Sequence, residues 1–69
     1  MEINWVDGFS ISAQVQDGAV VIKANKEGLM SLARIMIGLA LQESGAHIHL
    51  DEHDSLEDGS AELIIDHEE

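Results

Sequence analysis

The strongest constraint on the fold of this chain is a pair of apolar segments joined by an Asp-Gly dipeptide. Apolar side chains occupy every second position from Phe9 to Val15, and a second apolar segment runs from Ala19 to Ala24. Alternation with a period of two is typical of a strand with one buried face. Asp17-Gly18 suits a two-residue turn of the primed type, so the sequence predicts a β-hairpin whose register is set by that turn.

A helix is predicted to follow the hairpin directly. Asn25 can cap it with its side-chain oxygen, and Glu27 suits the positive end of the helix dipole, so the helix should begin at Lys26. Gly45 is expected to end this segment in a left-handed conformation. The stripe predicted to lie on a sheet follows the helical period: Leu29, Leu32, Ala33, Met36 and Ala40.

The same helix carries a second apolar seam, formed by Met30, Ile37 and Leu41. So much of its circumference is apolar that either ordinary core packing or a contact with another subunit or a partner is expected to cover this side. Gly28 costs about 1 kcal/mol relative to alanine in a helix interior, which is more easily tolerated where a backbone must approach a neighbour closely.

Two more strands are predicted after the helix, His47 to Asp51 and Ala61 to Asp66, with an acidic connection between them. The simplest architecture is a single α+β domain spanning residues 1–69. In it, a small antiparallel or mixed sheet of four to five strands, in the order β-β-(β)-α-β-β, carries the single helix on one face. The uncertain strand lies near the N-terminus, where Ile3 and Trp5 alternate with polar residues. Trp5 and Phe9 are expected to plug the core.

A histidine-rich segment coincides with the third of these strands. Strand spacing places four polar residues on one face: His47, His49, Asp51 and His53. If Ile48 and Leu50 face the helix, the polar residues simply form the solvent-exposed face (the wet face) of a half-buried strand. Histidines at this spacing can also bind zinc, with His47, His49 and Asp51 as candidate ligands, or respond to acid. The wet-face interpretation is the simpler one, so no metal or cofactor is predicted.

The charge of the chain narrows its possible partners. The formal net charge is −11, and every charged side chain after Arg34 is acidic unless a histidine is protonated. Such a surface repels phosphate backbones, which argues against nucleic-acid binding. The carboxylates in the C-terminal part of the chain are either solvated surface charges or a surface that attracts a basic partner. Five of them are the candidate partner-binding residues: Glu52, Asp54, Glu57, Asp58 and Glu62.

Size and composition argue against an enzyme, a membrane protein and an exported protein. A domain of 69 residues has little room for a pocket that excludes water. Its longest apolar stretch, Ile35 to Leu41, is far shorter than the roughly 20 residues of a membrane-spanning helix. Met1 to Trp5 lacks the basic start of a signal peptide, and the absence of cysteine favours a reducing compartment. The cytoplasm is the expected location.

Three segments give the chain a family resemblance. They are Asn25-Lys26-Glu27-Gly28-Leu29, His47-Ile48-His49-Leu50-Asp51-Glu52, and Ser55-Leu56-Glu57-Asp58-Gly59-Ser60-Ala61-Glu62-Leu63-Ile64-Ile65. In this order and at these separations they resemble the small bacterial immunity proteins numbered thirty-two among the polymorphic-toxin immunity families. The resemblance implies an α+β antitoxin of the cytoplasm that binds a cognate toxin and blocks it without chemistry.

Three functional hypotheses follow. The leading one is an immunity protein whose acidic surface is steered to a basic cleft on its toxin. The alternative is a homo-oligomeric structural or regulatory module that buries Met30, Ile37 and Leu41 between subunits. The third is a zinc-binding protein that uses His47, His49 and Asp51.

Overall fold

The computed structural model describes residues 3–69 and has the element order β-β-α-β-β. The elements are β1 (Ile11–Gln16), β2 (Ala19–Ala24), α1 (Lys26–Ala40), β3 (His47–Leu50) and β4 (Leu63–Asp66). This order confirms the α+β class and the predicted start of the helix. Within the described residues the strands do not form the single sheet that was predicted, because β1 pairs only with β2 and β3 only with β4, both antiparallel.

The hairpin follows the sequence prediction closely. Asp17 and Gly18 have φ values of 51° and 80°, the two positive angles that a type I′ turn requires. The turn sets Val15 opposite Val20 and Ile11 opposite Ala24. The first strand begins two residues later than the start of its apolar alternation at Phe9.

A loop segment joins the two sheets along the outer edge of β1. The Glu57 amide donates to the Ile11 carbonyl at 2.8 Å, and the Ala61 amide donates to the Ala13 carbonyl at the same distance. The Ala13 amide in turn donates to Ser60 Oγ at 3.2 Å. The acidic connection between β3 and β4 is therefore fixed to the hairpin by hydrogen bonds.

The N-terminal segment packs on the core without forming a strand within residues 3–10, so the optional fifth strand was wrong for this segment. Trp5 and Phe9 stack with ring centroids 4.4 Å apart and planes inclined by 17°. Both are partly buried against the core, which confirms their predicted role. The Val6 amide donates to Ser31 Oγ at 2.9 Å and ties this segment to α1.

The helix presents a different face to the core from the one predicted. Its buried residues are Gly28, Ser31, Leu32, Ile35 and Leu39. Of the predicted stripe only Leu32 is buried, whereas Leu29, Ala33, Met36 and Ala40 are exposed. Apolar side chains surround so much of the helix that hydrophobicity alone does not set its rotation. The small residues decide it, since Gly28 lets the hairpin approach and Ser31 accepts a hydrogen bond from the N-terminal segment.

The rest of the core comes from both sheets and the acidic connection. The buried cluster consists of Ile11, Ala13, Leu32, Ile35, Leu39, Leu50 and Leu56. Within residues 3–69 no helix has the length and apolar character needed to cross a membrane.

Gly45 has the predicted left-handed conformation, with φ of 92°, but it does not end the helix. The helix stops at Ala40, and its cap, Leu41, has right-handed backbone angles. The Gly45 amide instead donates to the His67 carbonyl at 2.7 Å, and the His67 amide donates to the Ala46 carbonyl at 2.8 Å. Gly45 therefore extends the pairing of β3 and β4, which corrects its predicted role.

Asn25→Ala is expected to lower the free energy of unfolding by about 1 kcal/mol, the usual cost of losing an N-cap. Asn25 Oδ1 accepts from the Gly28 amide at 2.8 Å and from the Ser10 amide at 3.0 Å, while Nδ2 donates to the Gly8 carbonyl at 2.9 Å. Asn25→Asp retains the acceptor and should recover most of the loss. Urea denaturation measures both variants, and equal stability of Asn25→Ala and the unsubstituted protein would contradict this role.

Candidate partner-binding surface

The acidic loop, defined here as residues 51–62, begins with a compact turn. The Asp51 carbonyl accepts from the amides of Ser55 and Leu56 at 3.2 and 2.9 Å, and Asp51 Oδ1 accepts from the His53 amide at 2.8 Å. Leu56 then inserts into the core and is buried. Together with the two amide bonds to β1, these contacts hold both halves of the loop.

Three of the five candidate carboxylates, Glu52, Glu57 and Glu62, contact residues that are not their neighbours in the sequence. Glu52 Oε2 accepts from the Gly59 amide at 2.7 Å, which closes the loop on itself. Glu57 Oε1 accepts from Ser10 Oγ at 3.1 Å. Glu62 Oε2 lies 3.1 Å from His49 Nδ1, with both side chains about half exposed. These carboxylates are therefore presented in a defined arrangement.

Asp54 and Asp58, the other two candidates, are exposed at the outer rim of the acidic loop. Asp54 accepts a hydrogen bond from the hydroxyl of its neighbour Ser55. Replacing either carboxylate removes no buried contact, so both positions are suited to testing the surface without disturbing the fold.

The histidine-rich segment forms a shorter polar face than the sequence predicted. His47 and His49 are exposed on β3, with ring centroids 5.1 Å apart and planes inclined by 72°. Leu50 is buried and Ile48 packs against the core, which confirms that the apolar residues of this strand face inward. Because β3 ends at Leu50, the residues of the following turn do not extend the polar face. In the part of the chain that the structure describes, no group of three histidines or carboxylates is arranged to hold a metal ion.

An exposed apolar face covers the outer side of α1. Met30, Ile37 and Leu41 are 43%, 62% and 84% exposed, and Leu29 and Met36 lie exposed beside them. These residues therefore take no part in the core of a single chain, and ordinary core packing of the seam is excluded among residues 3–69.

The hairpin contributes further exposed apolar side chains that the sequence did not identify. Val15, Val20 and Ile22 are exposed, although the register places them on the same face as the buried Ile11 and Ala13. The alternation from Phe9 to Val15 predicted an inward orientation for Val15, and that prediction is correct. All three side chains stay uncovered because α1 packs over the base of the hairpin, where Gly28 meets Ile11 and Ala24, and does not cover its tip.

Charge is unevenly distributed along the sequence. All three basic residues, Lys23, Lys26 and Arg34, lie between residues 18 and 42, together with only one of the 14 carboxylates, Glu27. The apolar face of α1 therefore lies in the segment of the sequence that has the fewest carboxylates relative to its basic residues. The remaining segments, including the acidic loop, have carboxylates but no lysine or arginine.

A family model described as immunity protein 32 matches residues 19–68, from the start of β2 through β4. The chain belongs to this immunity protein family. The match covers α1, the histidine strand and the acidic loop, and it confirms the resemblance carried by the three sequence segments. No curated protein and no solved structure shows significant similarity to the chain.

Proposed function

We propose that this immunity protein neutralises a bacterial toxin in the cytoplasm by binding it directly through the acidic loop. One observation carries the proposal: the second half of the loop is anchored to the rest of the fold, because the Glu57 and Ala61 amides donate to carbonyls of β1 and the side chain of Leu56 is buried in the core. An interface that is ordered before binding loses little conformational entropy when the complex forms. Family membership supports inhibition by binding rather than by catalysis.

The charge of the loop defines the kind of toxin surface that it fits. Five carboxylates occur between residues 52 and 62 without a lysine or arginine among them. A basic cleft, such as that of a toxin acting on nucleic acid, would be complementary to this surface. Charge of this kind accelerates association at low ionic strength and loses its effect as salt screens it.

Asp54→Asn/Asp58→Asn is expected to bind the toxin about tenfold more weakly, mainly through a slower association rate, because two exposed charges of the steering surface are lost. The probe is the toxin encoded by the neighbouring reading frame, with kinetics measured at two salt concentrations. Glu68→Gln/Glu69→Gln is the matched control. It removes the same charge from exposed positions outside the acidic loop, and its affinity should stay within about twofold of the unsubstituted protein.

Two results would count against this function. Equal weakening in both double variants would show that only net charge matters and that the acidic loop is not the contact surface. Failure of the purified proteins to form a complex at micromolar concentrations, with no protection of cells that express the toxin, would contradict toxin neutralisation itself.

A further inference from the structure

We propose that the apolar face of α1 is an interface between two copies of this chain, which pack their helices antiparallel about a two-fold axis. This proposal does not depend on toxin binding. A second copy of the chain covers this face, and three properties of the residues on it support this: their spacing, their exposed area and their charge.

The spacing along α1 is that of a helix-pairing seam. Met30, Ala33, Ile37 and Ala40 follow one another at intervals of three, four and three residues, and Leu41 continues the same side. This 3-4 spacing aligns side chains along one stripe, and it is the spacing by which paired helices interlock. The two alanines let a neighbouring helix approach closely between the larger side chains.

The extent of the exposed surface matches what a dimer needs. Besides Met30, Ile37 and Leu41 of the seam, Leu29 and Met36 are exposed beside it on the helix. Taken together, these side chains expose on the order of 500 Å² of apolar surface, at the upper end of what a soluble monomer normally shows. A standard interface buries about 800 Å² on each partner, so a modest polar rim completes it.

Charge selects this face for contact between like molecules. The acidic loop and the C-terminal residues would repel one another if two copies met there, whereas the segment that contains α1 has more basic than acidic residues. Arg34 does not obstruct the seam, since its Nη1 donates to the Asn4 carbonyl at 3.3 Å on the side occupied by the N-terminal segment.

The ends of the seam are complementary in an antiparallel arrangement. Lys26 is the first residue of α1 and lies on the seam side, while Glu43 follows the helix and lines the same shallow depression as Leu41. The midpoint between residues 26 and 43 falls close to the midpoint between Met30 and Leu41. One two-fold axis therefore stacks the apolar seams and places Lys26 opposite Glu43 of the partner subunit at both ends. The opposed helix dipoles add to this complementarity.

Sedimentation equilibrium of the full chain is expected to show a dimer at micromolar concentrations. Ile37→Asp should weaken self-association at least tenfold, because two-fold symmetry places the buried carboxylate at the interface twice. Ile64→Asp is the matched control: Ile64 is exposed to a similar degree, 52% against 62% for Ile37, but lies on β4. It should leave the dimer intact, and circular dichroism establishes that both variants remain folded.

A charge-exchange pair tests the antiparallel arrangement. Lys26→Glu should weaken the dimer severalfold, and Lys26→Glu/Glu43→Lys should restore it, because the reversed pair has the same attraction. A monomer at 100 µM would overturn the proposal, as would equal weakening by Ile37→Asp and Ile64→Asp. A dimer that the double variant fails to restore would overturn the antiparallel arrangement.

Discussion

Gly28→Ala is expected to destabilise the protein by about 2 kcal/mol, although the same change stabilises an ordinary helix by about 1 kcal/mol. A Cβ atom at this position would lie 2.5 Å from the Ser10 carbonyl oxygen, 2.9 Å from Ile11 Cγ1 and 3.0 Å from Ala24 Cβ. Two of these three atoms cannot move by side-chain rotation. The first turn of α1 must therefore shift away from the hairpin, which opens the core where Ile11 is completely buried.

Urea denaturation of Gly28→Ala measures this effect directly. Ala33→Gly is the control, and both changes are made in the Ile37→Asp background so that self-association does not contribute. Ala33 is an exposed helical residue, so its change should cost only the helix propensity of about 1 kcal/mol. If Gly28→Ala instead raises the free energy of unfolding, propensity outweighs the clash and the close approach of α1 to the hairpin is wrong.

Features fixed by neighbouring residues were predictable from the sequence. The hairpin turn depends on Asp17-Gly18 alone, and the helix start depends on Asn25 reaching the Gly28 amide three residues away. The rotation of α1 was not predictable in this way. Apolar residues lie on both the buried and the exposed sides, so the choice depends on contacts of Gly28 and Ser31 with segments distant in sequence.

For the acidic loop, too, residue types could be read from the sequence, whereas contacts between segments far apart in the sequence could not. Composition identified the carboxylates of the acidic loop, because charge can be read from residue types. It could not show that the Glu57 and Ala61 amides pair with β1, across more than 40 residues of chain. The polar face of β3 was predicted too long for a local reason, since Asp51 accepts hydrogen bonds from the residues after it and turns the chain.

The exposed tip of the hairpin depends on tertiary packing. Strand alternation correctly placed Val15 on the inner face, and the register of the hairpin sets Val20 and Ile22 on the same face. Burial also requires an element to cover that face. The single helix covers only the base of the hairpin, so an inward-facing residue remains exposed to solvent. In a chain this small, apolar surface that no element of the chain covers indicates a partner-binding site as clearly as a cluster of charges does.

Leu56→Ala is expected to cost about 3 kcal/mol of stability, the largest loss among the substitutions considered. Leu56 is 5% exposed, and no other residue of the acidic loop is buried. Truncating a buried leucine removes its transfer free energy and leaves a cavity. Ile64→Ala is the control: it truncates an aliphatic side chain that is 52% exposed and lies on β4, outside the proposed interface, and it should cost less than about 1 kcal/mol.

The same substitution separates anchoring of the loop from its charge. Under conditions in which Leu56→Ala remains folded, the Glu57 and Ala61 amides should exchange with solvent faster. Their hydrogen bonds to β1 form only while the loop is held against that strand. All carboxylates of the loop are retained, so any weakening of toxin binding reflects lost order rather than lost charge. Amide exchange and binding kinetics on this variant provide the comparison. Unchanged protection at both amides would mean that their hydrogen bonds, rather than the buried leucine, hold the acidic surface in place.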